Sequence, residues 1–151
     1  MIGLAVLGST GSIGRQTLDV VRSLPDRFDV VALAAGTNVT LLEEQAREFR
    51  PKLLYAGREA DYLMERMHSG AIQGQWAEMA EMAAHPAVDI VVVSTVGAAG
   101  LGPTLAAIRA SKAVAIANKE VLVMAGHIIT TEAKFYEAEI RPIDSEHSAI
   151  W

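Results

Sequence analysis

The chain begins with an apolar run, Ile2-Gly3-Leu4-Ala5-Val6-Leu7, that passes directly into Gly8-Ser9-Thr10-Gly11-Ser12-Ile13-Gly14. Beyond it the period turns helical, with Ile13, Thr17, Val20 and Val21 recurring at helical spacing. A strand, a glycine-rich turn and a helix in immediate succession leave few folds open. Pro25 restricts the residue before it and stops this helix near Leu24. The alternation then continues. Phe28–Ala35 reads as a second strand, closed by Gly36, and Thr40 is placed to cap a helix through Phe49, with Pro51 beyond it. Leu53–Ala56 is a short third strand, and the Met- and Glu-rich stretch from Ala60 to Ala84 reads as helix interrupted near Gly70–Gly74. Val88–Ser94 is a buried strand built on Ile90-Val91-Val92-Val93. A glycine-rich turn over Gly97–Gly102 follows, with Pro103 at the first position of a helix reaching Ala110. Ala113–Ala117 is another strand, a helix spans about Thr130 to Glu139, and Ile140–Ile143 is a last strand meeting Asp144. Strands alternating with helices imply right-handed βαβ units. The expected fold is α/β, a doubly wound, mostly parallel sheet with helices on both faces.

Composition narrows the class further. The 151 residues fall within the ~100–200 usual for one domain, and 51% are hydrophobic, enough for an independent core. The absence of cysteine excludes disulfides, thiolate metal sites and a Cys nucleophile. With 13 Lys+Arg against 18 Asp+Glu, the net charge of −5 argues against a general nucleic-acid binder. No basic leader precedes the first strand, and no apolar run approaches the ~18 residues of a membrane span. The expectation is a soluble cytoplasmic protein. The chain stops at Trp151, just after a new polar cluster opens, which reads as truncation.

The glycine segment carries the clearest chemistry. One glycine permits the tight turn, one lets backbone approach a phosphate, and one allows close helix–strand packing. The N–H groups at the helix start then face an anion. The spacing is G-x-x-G-x-x-G rather than the commoner G-x-G-x-x-G, but the strand–turn–helix context favours a Rossmann-like dinucleotide site over a plain turn. An NAD site usually offers an acid about 20 residues further on to hold the ribose 2′-hydroxyl. Here that region reads Leu33-Ala34-Ala35-Gly36-Thr37-Asn38, with no acid, which favours NADP. Arg58, after the third strand, either adds charge there or is a solvated loop arginine.

Two polar clusters sit at later strand ends, where this fold places ligands. Asn118-Lys119-Glu120 is either a ligand contact or a polar helix start with Asn118 as N-cap. In Asp144-Ser145-Glu146-His147, carboxylates at i and i+2 can face one hard cation if the chain turns, although two ligands alone also suit a solvated turn. His147 is a ligand, a substrate contact or a surface histidine. His68, His85 and His127 stand singly and carry no assignment. Met64, Met67, Met79 and Met82 read as helix core rather than a binding surface.

Taken together, these motifs resemble the 1-deoxy-D-xylulose 5-phosphate reductoisomerase family. The resemblance rests on Gly8–Gly14 with Thr17-Leu18-Asp19-Val20-Val21, on Ala35-Gly36-Thr37-Asn38-Val39, and on Gly100-Leu101-Gly102-Pro103-Thr104-Leu105. It extends through Ala117-Asn118-Lys119-Glu120, Val123-Met124-Ala125-Gly126 and Pro142-Ile143-Asp144-Ser145-Glu146-His147-Ser148-Ala149-Ile150-Trp151. The resemblance implies an oxidoreductase and isomerase of non-mevalonate isoprenoid biosynthesis. Such an enzyme rearranges the phosphosugar 1-deoxy-D-xylulose 5-phosphate and reduces it with NADPH to 2-C-methyl-D-erythritol 4-phosphate. A magnesium or manganese ion polarises the carbonyl.

The resemblance also implies roles. Thr10, Gly11, Ser12 and Ile13 hold the pyrophosphate and nicotinamide side, and Gly36, Thr37 and Asn38 face the adenosine 2′-phosphate. Asn118 and Glu120 contact cofactor. Lys119 and Glu146 are catalytic, with Lys119, Ser145, Glu146 and His147 at the substrate, and Asp144 and Glu146 bind metal. Residues 1–139 form the NADPH-binding domain, and 140–151 open the catalytic domain. A Lys is common in the family where Thr37 stands, so this 2′-phosphate contact lacks that cation. The third carboxylate ligand, substrate-phosphate site, lid and C-terminal helical domain are expected beyond Trp151. The whole enzyme is expected to be a homodimer, and this part alone to bind cofactor without catalysing. The competing readings are a free-standing NADP-binding regulatory module and another NADP-dependent reductase.

Overall fold

A computed structural model describes residues 1–143. Its strands are β1 (Ile2–Leu7), β2 (Phe28–Ala35), β3 (Leu53–Ala56), β4 (Gln75–Trp76), β5 (Ile90–Val93), β6 (Ala113–Ile116) and β7 (Ile140–Pro142). They form one sheet in the order β4-β3-β2-β1-β5-β6-β7, with every neighbouring pair parallel. The helices are α1 (Ser12–Ser23), α2 (Val39–Phe49), α3 (Ala60–His68), α4 (Met79–Ala84), α5 (Leu101–Arg109) and α6 (Lys119–Phe135). The doubly wound parallel sheet is therefore as expected.

Side-chain alternation along each strand explains why β1 is apolar throughout. Ala5 and Leu7 join Val91, Val93, Val114 and Ile116 in a core shared with α4, α5 and α6. Leu4 and Val6 join Leu33, Leu54, Val92 and Ala115 in a second core with α1, α2 and α3. A sheet covered on both faces has no solvent side, so its central strands carry no polar alternation. The register of β2 against β1 shifts between Leu4 and Ala5, which pair with Val30 and Ala32. Val31 is the extra residue, so Val31 and Ala32 both face the first core. Alanine supplies much of the interior, including the fully buried Ala5, Ala32, Ala46, Ala83 and Ala107.

Several boundaries differ from the sequence reading. The last helix starts at Lys119 rather than Thr130 and ends at Phe135. Its first half is masked in the sequence by Val121, Val123 and Gly126, and its backbone breaks at Ala125 (φ −140°, ψ 21°). Glu137, at φ 54°, turns the chain before Glu139 can extend the helix. Asn38, not Thr40, caps α2, its side chain accepting from Leu41 N at 3.1 Å. Pro103 is the third residue of α5, still within the turn whose N–H groups lack intrahelical acceptors. Residues 60–84 divide into α3 and α4 around the short β4, and Glu78 and Glu81 form a capping box that opens α4. The strand expected over Val88–Ser94 is confined to Ile90–Val93.

A buried carboxylate ties α2 to α3. Glu43, 6% exposed, accepts from the Tyr62 hydroxyl at 2.7 Å and from Arg66 at 2.7 and 2.8 Å, with Arg47 also bonded to it. Burial pushes its pKa up, but the Tyr62 and Arg66 hydrogen bonds and the charges of Arg66 and Arg47 outweigh burial and hold it below the ordinary value. Glu43→Gln is expected to cost about 1–3 kcal/mol, measured by urea denaturation at pH 7. Because the folded pKa is depressed, this stabilisation is complete above the unfolded carboxylate pKa of about 4.3 and fades as pH falls through the folded value. The gap between wild type and variant should therefore narrow below about pH 4.

Candidate functional site

The chain builds outward from β1 through β2, β3 and β4, then returns to β5 on the other side of β1 and continues to β7. The C-terminal ends of β1 and β5 thus flank the point where winding reverses, the place such sheets bind ligands. Gly8 follows β1 there at φ 93°, and a Cβ on it would lie 2.6 Å from Ser94 O. Ser94, just past β5, donates its hydroxyl to Leu7 O at 2.8 Å and to Gly8 O at 3.2 Å. Gly8 and Ser9 both donate to Ala34 O of β2, at 2.8 and 2.9 Å. On the far side, the Ser9 hydroxyl donates to Gln45 Oε1 at 2.7 Å, and Gln45 Nε2 returns a bond to Ser9 O at 2.9 Å. Both residues are buried, so the turn is fixed from three elements before any ligand arrives.

The three glycines have separable functions. A Cβ at Gly14 would sit 2.2 Å from Gly8 O, so α1 reaches the turn only because residue 14 has no side chain. At Gly11 the nearest atom to such a Cβ is Gly8 O at 3.4 Å, ordinary contact. The fold does not need a glycine there, and Gly11 is exposed where it lines the cleft described next. Gly11 is also the N-cap of α1, makes no side-chain cap, and no acid occupies the first turn. By contrast, α2 and α6 have their N-termini capped by Asn38 and Asn118. The start of α1 therefore presents unclaimed N–H groups and a positive dipole end to an anion.

Next to it lies a cleft of about 290 Å³ that brings Thr10, Gly11, Gly36 and Thr37 together. Ser12 and Ile13 stand on the first turn of α1 beside it, and exposed Asn38 caps the next helix. Tyr55, Gly57, Met79, Ser94 and Thr95 also line the cleft, and sequence reasoning did not assign them to it. Strand endings signal Tyr55 and Ser94, since each stands within one residue of the C-terminus of β3 or β5. Met79 is half-buried on the cleft wall, while Met82 is the fully buried core methionine of α4. The Thr95 hydroxyl is buried without a hydrogen-bond partner among the described residues.

Asn118, Lys119 and Glu120 stand where β6 gives way to α6. Asn118 is 2% exposed; its Oδ1 accepts from Val121 N at 3.3 Å and its Nδ2 donates to Gly97 O at 2.8 Å. It caps α6 and ties it to the turn after β5. Lys119 and Glu120 are exposed on the first turn. Asp144, Ser145, Glu146 and His147 lie outside the described residues. Among those described, no cluster of three or more His, Asp or Glu could hold a metal ion, and no helix is long and apolar enough to cross a membrane.

A winding reversal, an uncapped helix behind a glycine turn and an adjoining cleft define a Rossmann-like α/β domain of the doubly wound class. More specifically, the chain belongs to the 1-deoxy-D-xylulose 5-phosphate reductoisomerase family, whose model matches residues 4–126. A relative of that name from Pelotomaculum thermopropionicum is 47% identical over 156 residues, covering 100% of this chain and 40% of the relative. A crystal structure of DOX-P reductoisomerase in complex with NADPH, fosmidomycin and magnesium superposes with a TM-score of 0.92 at 41% identity, covering 99% of this chain and 38% of that one. The Zymomonas mobilis enzyme in complex with NADPH gives a TM-score of 0.87 at 36% identity, over 97% of this chain and 39% of that one. The chain thus spans about 40% of the length of the relatives it matches.

The contrast between two glycines is directly testable. Gly14→Ala should destabilise the fold by about 3 kcal/mol through its collision with backbone. Gly11→Ala, with an N-cap at stake and no clash, should cost less than about 1 kcal/mol. Thermal and urea denaturation of both variants would measure the difference.

Proposed function

We propose that this chain binds NADPH in the cleft at the ends of β1, β2 and β5. In the complete family protein it would form the cofactor-binding part of 1-deoxy-D-xylulose 5-phosphate reductoisomerase. The observation that carries the reading is the open face of Gly11 with the uncapped start of α1 behind it, a cradle a Cβ would fill. Thr10, Gly11, Ser12 and Ile13 take the pyrophosphate and nicotinamide side. Gly36, Thr37 and Asn38 take the adenosine 2′-phosphate, in a turn that holds no acid to repel it. Asn118 acts on the cofactor from the position its two hydrogen bonds impose, with Glu120 beside it on α6. Bound NADPH would supply the hydride that reduces the rearranged sugar.

Lys119 is the substrate contact and one catalytic residue of this part. Residues 1–139 constitute the cofactor-binding domain and 140–151 begin the catalytic one. There Asp144 and Glu146 are two of the ligands of a magnesium or manganese ion. Glu146 is also catalytic, and Ser145 and His147 stand at the phosphosugar. The complete protein is a cytoplasmic homodimer, without nucleic-acid partners. The chain alone has no turnover in this reading, because it spans about 40% of the length of the family enzymes it matches.

Two measurements test this. NADPH should bind this chain more tightly than NADH by calorimetric titration, and Gly11→Val should abolish binding of both while circular dichroism is unchanged. In the complete family protein, Asp144→Asn or Glu146→Gln should reduce turnover at least ~100-fold while the NADPH dissociation constant moves less than about twofold, because the cation acts on substrate oxygens, away from the nucleotide loop. Full turnover in either variant would remove the metal-site assignment.

A further inference from the structure

We propose that Arg58 is the specificity-determining residue of the cleft, the cation that receives the 2′-phosphate monoester of the dinucleotide. This rests on the NADPH reading above and assigns its phosphate preference to one side chain. In this fold the ribose bearing that phosphate lies at the end of β2, where an arginine accommodates it. The end of β2 is Gly36-Thr37-Asn38, which holds neither acid nor cation.

Arg58 is held against that turn by the sheet. Strand β3 lies beside β2 with Ala56 opposite Ala35. Gly57 N donates to Ala35 O and Arg58 N donates to Gly36 O, both at 2.9 Å. The two turns are so close that a Cβ on Gly57 would stand 3.0 Å from Gly36 O. Residue 58 is therefore pinned beside residue 36 whatever its side chain does.

The side chain is also available. Arg58 is exposed and takes part in no ion pair among the described residues, whereas Arg22, Arg47, Arg66, Arg109 and Arg141 each hold a carboxylate. Arg27 and Arg50 precede β2 and β3 and so stand at the opposite, N-terminal ends of the strands, and Arg15 is on α1. Among the described residues, Arg58 alone combines a guanidinium in no ion pair with the end of β2. A guanidinium fork matches phosphate oxygens in a bidentate pair, which a 2′-hydroxyl cannot offer. Glu59 is the opposing charge: it follows Arg58 at φ 54° as the N-cap of α3 and makes no cap hydrogen bond. Its carboxylate disfavours the phosphate, so removing it should strengthen NADPH binding.

The test is a set of titrations on this chain with NADPH and NADH, at low and at physiological salt. Arg58→Gln should raise the NADPH dissociation constant about tenfold or more, while that of NADH stays within twofold. Arg58→Lys should recover part of the loss, and Glu59→Gln should tighten NADPH alone. An unchanged NADPH-to-NADH ratio in Arg58→Gln, with wild type still preferring NADPH, would overturn the Arg58 assignment and leave the cofactor reading intact. Equal loss of both nucleotides would also overturn it, by showing that Arg58 only holds the turn together. Wild type that binds neither nucleotide, or both equally, would sink the NADPH reading and Arg58 with it.

Discussion

The structure depends on the contact of α1 with the turn that follows β1. At Gly14 the helix comes so near that its missing Cβ would overlap Gly8 O and the Ser9 backbone. A helix that begins this close to the end of a central strand has its first N–H groups pointing over the strand tips. Everything the cleft offers an anion follows from that approach. The contact also explains why the turn needs external support. A loop pressed from one side would bow outward, and Gln45, Ala34 and Ser94 hold it from the other three. The turn is held by the protein's own hydrogen bonds, so an anion that meets it need not order the chain first.

The sheet divides its labour about β1. On the side of β2 and β3, strand ends supply the cleft with backbone turns and small residues, Gly36, Thr37 and Gly57. On the side of β5 and β6, they supply polar side chains locked in place, Ser94 on β1 and Asn118 on the turn at Gly97. Asn118 shows how a cap and a cross-link can be one residue. Its oxygen satisfies the start of α6 while its nitrogen donates to Gly97 O in the turn after β5.

The half of the fold that could be read in the sequence is the half in which local and tertiary signals agree. Strands β1, β2, β3 and β6 are short, β-branched or apolar and end at glycine or polar residues, and they stand where the residue pattern places them. The two-residue β4 has no pattern of its own; its pairing with Leu53 and Leu54 makes it a strand. The start of α6 was hidden because Val121, Leu122 and Val123 look like a strand, and only the Asn118 cap and burial of Val121, Ala125 and Ile129 make them helix. At the site, glycines with fixed spacing announced the turn, and Gly36 and Thr37 followed from position. Met79 and Thr95 did not, because a residue joins a cleft through register and packing, which no local spacing encodes.

The abundance of buried alanine has a consequence for how this protein tolerates change. A core built from leucine and phenylalanine fails chiefly when side chains are shortened, since each truncation opens a void. Ala5, Ala32, Ala46, Ala83 and Ala107 have almost nothing to lose. The vulnerability is inverted: enlargement at these positions pushes layers apart, with strain that spreads along an element instead of staying at one site. Sequence drift in such an interior is confined less by how much hydrophobicity must be kept than by how little volume can be added. Since the turn after β1 is braced by elements of those same layers, the spacing of the alanine core also sets the shape of the cleft.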